Sequence, residues 1–446
     1  MYIMARLPAG TPLAALLLLC LLSSCRAASS GSGGNPRAVV LPVSKDAGAT
    51  QQYVTSFRQR TPLVPVKAVL DLSGATLWVD CDSGRYASTT YRRVPCGSKP
   101  CRLSRSAACA TSCPGAPSPS CLNDTCGGFP SNTVTHVSTG GNVITDVLSL
   151  PTTSRPAPGP LATAPAFLFT CGATFLTEGL AAGASGMASL SRARFALPSQ
   201  LAATFRFPAR RFALCLPPAG AAGAAVFGDA RPYAFQPGLV ISNASLVYTP
   251  LLVNPVSTAG VSAEGDKSDE YFVGVTGIKV NGRAVPVNAT LLAIDRKSGA
   301  GGTKLSVTEP YTVLERSIYR AVTGAFAAET AMIPRAPAVA PFTLCYDGGK
   351  VGSTRVGPAV PTVELVMGGD DAASWVVFGA NSMVAVRGGA LCLGVVDGGE
   401  APRTSVVIGG HMMEDNLLEF DLEASRLGFS SSLLFRQTNC NNFRLG

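Results

Sequence analysis

Apolar and polar positions follow a strand-like pattern along most of the chain and a helical one in few places. The alternation over residues 51–60 and the apolar run over 63–71 predict two strands. Further strands are expected at 166–172, 211–216, 225–229, 246–251, 375–378, 389–396, 406–410 and 416–429. Residues 271–280 and 283–287 flank Asn281-Gly282, which readily supplies the positive φ angles of a tight hairpin turn. A second hairpin is expected over 132–142, with Gly140-Gly141 at its tip. Helical spacing predicts a short helix at Leu197, where Pro198 and Ser199 suit a first turn. A longer helix is expected over 310–326, with Leu314, Ile318, Val322 and Phe326 on one face and Thr312 and Glu315 at capping-box spacing. Pro334 and Pro337 end that region and leave Arg335 on a loop. Strand signals dominate, so the expectation is a mainly β protein with few short helices.

At 446 residues the chain exceeds one ordinary core and suits two lobes. Residues 1–27 read as a secretory signal, with Arg6 in its basic end and an apolar run over 13–22 too short to span a bilayer. The expected division is a leader at 1–27, a first lobe at 28–240 with a cysteine-rich insertion, and a second lobe at 241–446.

Cysteine usage agrees with secretion. Of 14 cysteines, Cys20 and Cys25 leave with the leader. The rest are Cys81, Cys96, Cys101, Cys109, Cys113, Cys121, Cys126, Cys171, Cys215, Cys345, Cys392 and Cys440, enough for six disulfides. Nine precede residue 240 and three follow it, so complete pairing requires at least one bridge between lobes. No histidine accompanies the close cysteine spacings, and no metal or other cofactor is expected. Asn123, Asn243 and Asn288 head glycosylation sequons. The formal charge of +9, about +7 without Arg6 and Arg26, suits retention by acidic cell-wall polysaccharide. Nucleic acid is not an expected partner, because no basic run carries interleaved aromatics, and neither is a membrane.

Two stretches carry the chemistry. Ala68-Val69-Leu70-Asp71-Leu72-Ser73-Gly74 and Gly302-Thr303-Lys304-Leu305-Ser306-Val307-Thr308 resemble the paired active-site loops of pepsin-like aspartic proteases. Peptide hydrolysis by that route needs two carboxylates sharing one proton. Here the second position holds Ser306, so Asp71 is expected to titrate as a partly buried, unpaired acid and proteolysis to be lost. Two histidines and no nucleophile-elbow sequence leave nothing for a serine or cysteine hydrolase.

The segments 302–306, 310–315, 339–342, 394–399, 403–411 and 427–434 are similar to the plant extracellular dermal glycoproteins. That group includes inhibitors of fungal xyloglucan endoglucanases and the basic globulins of legume seeds, with the wheat xylanase inhibitors more distant. The resemblance implies a bilobal pepsin-like aspartic protease fold in a secreted, inactive protein. Its implied partner is a microbial glycoside hydrolase. In the glucanase-inhibiting branch two loop arginines enter the enzyme's cleft, and their motifs match Arg335 and Arg403. Those enzymes lack nothing that a guanidinium needs, since a retaining glucanase holds two carboxylates about 5 Å apart. The wheat inhibitors instead use a histidine near the C-terminus, where this chain has Leu434, and His411 lies elsewhere. The flap of an active protease carries a tyrosine; residues 132–142 contain His136 and no tyrosine. The alternatives are a storage or peptide-binding globulin and a residual aspartic endopeptidase.

Overall fold

The computed structural model describes residues 35–444 apart from 47, 49, 83–85, 154–158, 237 and 369–372. The expected leader therefore lies outside the described residues. From Pro36 onward the chain forms one compact unit, in which twenty strands join into a single hydrogen-bonded network.

Its spine is a six-stranded antiparallel sheet shared by the two halves. Ala38–Lys45 pairs with Ala222–Gly228, and that strand pairs with Arg211–Cys215. Arg211–Cys215 then pairs with Asn416–Asp421 of the second half. Outward from there lie Arg426–Ser432 and Val247–Leu252. Each half contributes its opening strand and two strands from near its end, in mirrored order. One face of the seam is apolar: Phe212 and Phe420 are register partners whose rings stack 4.5 Å apart, and Tyr271 packs on Phe420 at 4.7 Å. Burying such rings at the junction removes a large apolar area from water and fixes one half on the other.

The same motif is built twice beside this sheet. In the first half Val64–Asp71 runs parallel to Gly186–Ser189, which also pairs antiparallel with Trp78–Asp80. Trp78–Asp80 runs parallel to Leu161–Gly172. In the second half Thr303–Leu305 runs parallel to Val406–Ile408, which pairs antiparallel with Thr312–Leu314; that strand runs parallel to Val395–Asp397. The division expected at residue 240 falls within the strand Leu239–Ile241, and the C-terminal Phe443–Arg444 returns to pair with Tyr233–Phe235 in the same sheet.

All twelve expected cysteines pair: Cys81–Cys171, Cys96–Cys109, Cys101–Cys126, Cys113–Cys121, Cys215–Cys440 and Cys345–Cys392. Cys215–Cys440 is the expected bridge between the halves. Three of the others lie inside residues 96–126, where only short strands and the five-residue helix Lys99–Leu103 form.

The helix Leu197–Phe205 forms as expected, and Asn281 and Gly282 adopt φ of 51° and 74° between Val275–Val280 and Arg283–Ala284. Two expectations are corrected. The longer helix runs Arg316–Glu329 rather than 310–326, because Thr312–Leu314 is a strand and the Glu315 side chain caps the helix by accepting from the Ser317 and Ile318 amides. Ile318, Val322 and Phe326 do form its buried face. The hairpin turn lies at residues 133–136, between Ser131–Asn132 and Val137–Ser138, not at Gly140-Gly141. Asn132 makes the turn by accepting from the Val134 and Thr135 amides, and His136 takes φ of 59°. Gly141 instead opens the strand Gly141–Pro151, where a side chain would collide with the carbonyl of Cys171.

Candidate functional site

Asp71 ends its strand with the carboxylate turned into its own loop. Oδ1 accepts from the Ser73 amide at 2.7 Å and the Ser73 hydroxyl at 2.6 Å, and Oδ2 accepts from the Gly74 amide at 2.9 Å. Gly74 is required here, since a Cβ would overlap Oδ2. The Thr133 hydroxyl, from the hairpin turn, acts on the same carboxylate. Asp71 is 1 % exposed, not partly buried as its sequence context suggested. Burial pushes its pKa up, against the pull of the Ser73, Thr133 and Gly74 donors. A carboxylate has about four acceptor positions, and the Ser73 and Gly74 groups occupy three of them.

Ser306 directly follows the strand Thr303–Leu305 of the second motif, as Asp71 ends the strand Val64–Asp71 of the first. Asp71 is partnered with Ser189, while Leu305 is partnered with Ile408 and the next amide, Ser306, donates to the Ile408 carbonyl at 3.0 Å. The local bonding repeats as well. Ser306 Oγ lies 3.1 Å from the Thr308 hydroxyl and accepts from the Glu309 amide at 3.2 Å, the same two and three residues onward as at Asp71. One hydroxyl thus holds the loop shape that two carboxylate oxygens hold in the other half. It cannot share a proton with Asp71 as a second carboxylate would.

Arg335 is not on a free loop. It begins the two-residue strand Arg335–Ala336, opposite Tyr346 and Cys345. Its guanidinium stacks 4.6 Å from the Tyr346 ring and donates to the Ala327 carbonyl at 3.5 Å. The disulfide Cys345–Cys392 joins register partners in that same sheet. Arg403 lies in the connection before Val406–Ile408; its backbone carbonyl accepts from the Gly301 amide at 2.8 Å and its guanidinium donates to the Ser257 carbonyl. Arg316, at the start of its helix, clamps this connection through Asp397 at 3.3 Å and Glu400 at 3.0 Å. Arg335 and Arg403 are both exposed, no hydrogen bond joins them, and neither forms an ion pair with a described carboxylate.

The sequon residues Asn123, Asn243 and Asn288 are all exposed. Leu434 is half-buried in the short helix Leu433–Arg436. His136 is exposed on the hairpin turn, whereas His411 is largely buried, with Nδ1 3.0 Å from Glu414 Oε2 and Nε2 3.0 Å from the Met383 carbonyl. Glu414 also accepts from Lys45 Nζ at 2.7 Å and Tyr53 Oη at 2.8 Å. Sequence reasoning missed this cluster, because its members lie up to 369 residues apart and no local spacing links them. Among the described residues no helix is long and apolar enough to cross a membrane.

The doubled strand motif, the shared six-stranded sheet and the two loops at Asp71 and Ser306 define a pepsin-like protein. Within that class the chain belongs to the xylanase inhibitor family: the family's N-terminal model matches residues 53–229 and its C-terminal model residues 270–431. A probable aspartic proteinase, GIP2, of Nicotiana benthamiana is 50 % identical over 96 % of this chain and 97 % of its own length. The basic 7S globulin of Glycine max is 37 % identical over 89 % of this chain and 88 % of its own. Among solved structures, that of edgp matches with a TM-score of 0.89 at 49 % identity, covering 93 % of this chain and 99 % of that one.

Proposed function

We propose that the protein is a secreted, proteolytically inactive inhibitor of microbial cell-wall glycoside hydrolases, with xyloglucan-specific endoglucanase the first expected target and xylanase the second. The observation that carries this reading is the state of Arg335 and Arg403: two exposed guanidiniums, anchored through backbone carbonyls and one aromatic ring, with no described carboxylate neutralising either. A planar guanidinium can bridge a glycosidase's paired carboxylates by charge-assisted hydrogen bonds. Anchoring before contact lowers the ordering cost of binding. Loss of peptide hydrolysis is supported by the hydroxyl of Ser306 in the second motif, where the resemblance calls for an acid, and by the turn of the Asp71 carboxylate into its own loop. Six disulfides and three exposed sequon asparagines fit an extracellular, apoplastic location, and the net positive charge fits adhesion to acidic polysaccharide.

A storage or peptide-binding role is the second reading, favoured by the likeness to the basic 7S globulin. Inhibition assays of the native protein against xyloglucanases, cellulases and xylanases separate the two, beside an Arg335→Ala/Arg403→Ala double variant. Inhibition by the native protein that the double variant loses supports the arginine mechanism. No inhibition across the panel favours the globulin role, and cleavage of protein substrate at acidic pH would restore the protease one.

A further inference from the structure

The turn that delivers Arg335 also carries a methionine unlike any other in the structure. Met332 is 95 % exposed, whereas Met187, Met367, Met383, Met412 and Met413 are all 4 % exposed or less. The exposure does not come from a slack loop. Thr330 is buried, its hydroxyl donates to the Phe326 carbonyl at 2.7 Å, and it also bonds the Tyr346 hydroxyl. The Ile333 amide donates to the Thr330 carbonyl at 2.9 Å while its side chain packs on the main core. The Pro334 carbonyl accepts from the Asp347 amide at 2.9 Å. Met332 is therefore held outward by fixed neighbours on both sides. From Ala331 to Pro341 the side chains are apolar apart from Arg335, the single charge, and most are exposed. An exposed apolar segment around one cation suits a concave, aromatic-walled cleft with carboxylates at its floor. A thioether makes favourable contacts with aromatic rings in such a cleft.

We propose that Met332 is this protein's peroxide-sensitive site and that oxidising it weakens binding to the glycoside hydrolase; the second half of this proposal rests on the inhibitor function above. In the reaction the thioether sulfur attacks one oxygen of hydrogen peroxide, the O–O bond breaks and an S–O bond forms. Sulfur loses two electrons, and the second oxygen departs as water with both protons. The product is a polar, chiral sulfoxide on this segment. The five buried thioethers are shielded from the same oxidant by the core.

The test treats the native protein with dilute hydrogen peroxide, maps the added oxygen by peptide mass spectrometry and measures xyloglucanase inhibition in parallel. Met332 is expected to be modified well before the other five methionines. Its oxidation should raise the inhibition constant by roughly tenfold, as loss of a central apolar anchor does. Methionine sulfoxide reductase should reverse the loss. Met332→Leu has no sulfur to oxidise, so whatever inhibition it shows before treatment should be unchanged after peroxide. Equal oxidation of any buried methionine overturns the site assignment, and undiminished inhibition by the Met332 sulfoxide overturns the consequence. If the untreated protein inhibits no hydrolase, the inhibitor function falls and takes the consequence with it, while the mapping still decides the site.

Discussion

Lys45 Nζ lies 2.7 Å from Glu414 Oε1, with both side chains 6 % exposed, so an ion pair buried at the junction joins the opening strand to the closing elements of the chain. Tyr53 and His411 complete the shell around the same carboxylate. The partners outweigh burial and hold Glu414 below the usual carboxylate range, led among them by His411 and then Lys45. Removing one partner of a buried pair leaves the other charge uncompensated, at a cost of about 3–5 kcal/mol. Glu414→Gln is expected to lower stability by that order in chemical denaturation. Because the folded pKa is depressed, the stabilisation is present above the unfolded value and lost as pH falls through the folded one. The variant should therefore lose an acid limb of the stability profile that the native protein shows.

The neighbouring residue behaves in the opposite sense. The Asp415 carboxylate accepts from the Cys440 amide, and burial with the adjacent Glu414 charge raises its pKa to about 6. The folded state then holds a proton that the unfolded state has released between about pH 4 and 6. Stability supplied by this group is complete below the unfolded value and declines as pH rises to about 6. Asp415→Asn retains the acceptor and removes the charge. It is expected to stabilise the protein at pH 7 by roughly 1–3 kcal/mol and to flatten the decline, as read from melting temperatures across that pH range. A variant less stable at pH 7 than the native protein would contradict the raised pKa.

The elements legible in the sequence are those whose cause is local. Asn281-Gly282 needs only its own φ preferences, and the helix at Leu197 only its Pro-containing first turn. The start of the Arg316–Glu329 helix was obscured because Thr312 and Val313 continue the apolar pattern, while their strand state is imposed by pairing with Val395–Asp397 and Val406–Ile408. Gly140-Gly141 has the look of a turn, but Gly141 answers a close approach to Cys171, thirty residues away in sequence and fixed only by the sheet. At the site, Asp71 and Ser306 were visible as motif positions. The groups around the Asp71 carboxylate were visible in part: Ser73 and Gly74 are neighbours, whereas Thr133 arrives from a separate hairpin. Arg335 was identifiable only by resemblance, and its support from Tyr346 depends on a strand pairing that no spacing announces.

Placing a second acid at Ser306 should not produce a protease. Ser306→Asp supplies a second carboxylate, yet Asp71 remains committed to the Ser73 and Gly74 donors. The expected result is no cleavage of a denatured protein substrate at any acidic pH. A transition-state-peptide-sensitive activity would show that the Asp71 loop opens. Asp71→Asn places an amide nitrogen among hydrogen-bond donors, which leaves buried groups unsatisfied and should cost roughly 1–3 kcal/mol in stability.

The covalent link between the halves gives the last prediction. Cys215 ends the strand at the centre of the shared sheet, and Cys440 lies 225 residues later in a buried turn whose amide also bonds Asp415. Closing so long a loop limits the unfolded ensemble more than any of the three short bridges within residues 96–126 can, since the entropic effect grows with loop length. Cys215→Ser/Cys440→Ser is expected to lose roughly 2–5 kcal/mol, while Cys113→Ser/Cys121→Ser, closing eight residues, should lose less. Urea titrations of the two variants under identical conditions provide the comparison. The stacked Phe212 and Phe420 rings still join the halves when the long bridge is gone, so its variant should unfold in one transition at lower urea. Separate transitions for the two halves would mean that the disulfide, and not the shared sheet, holds them in register.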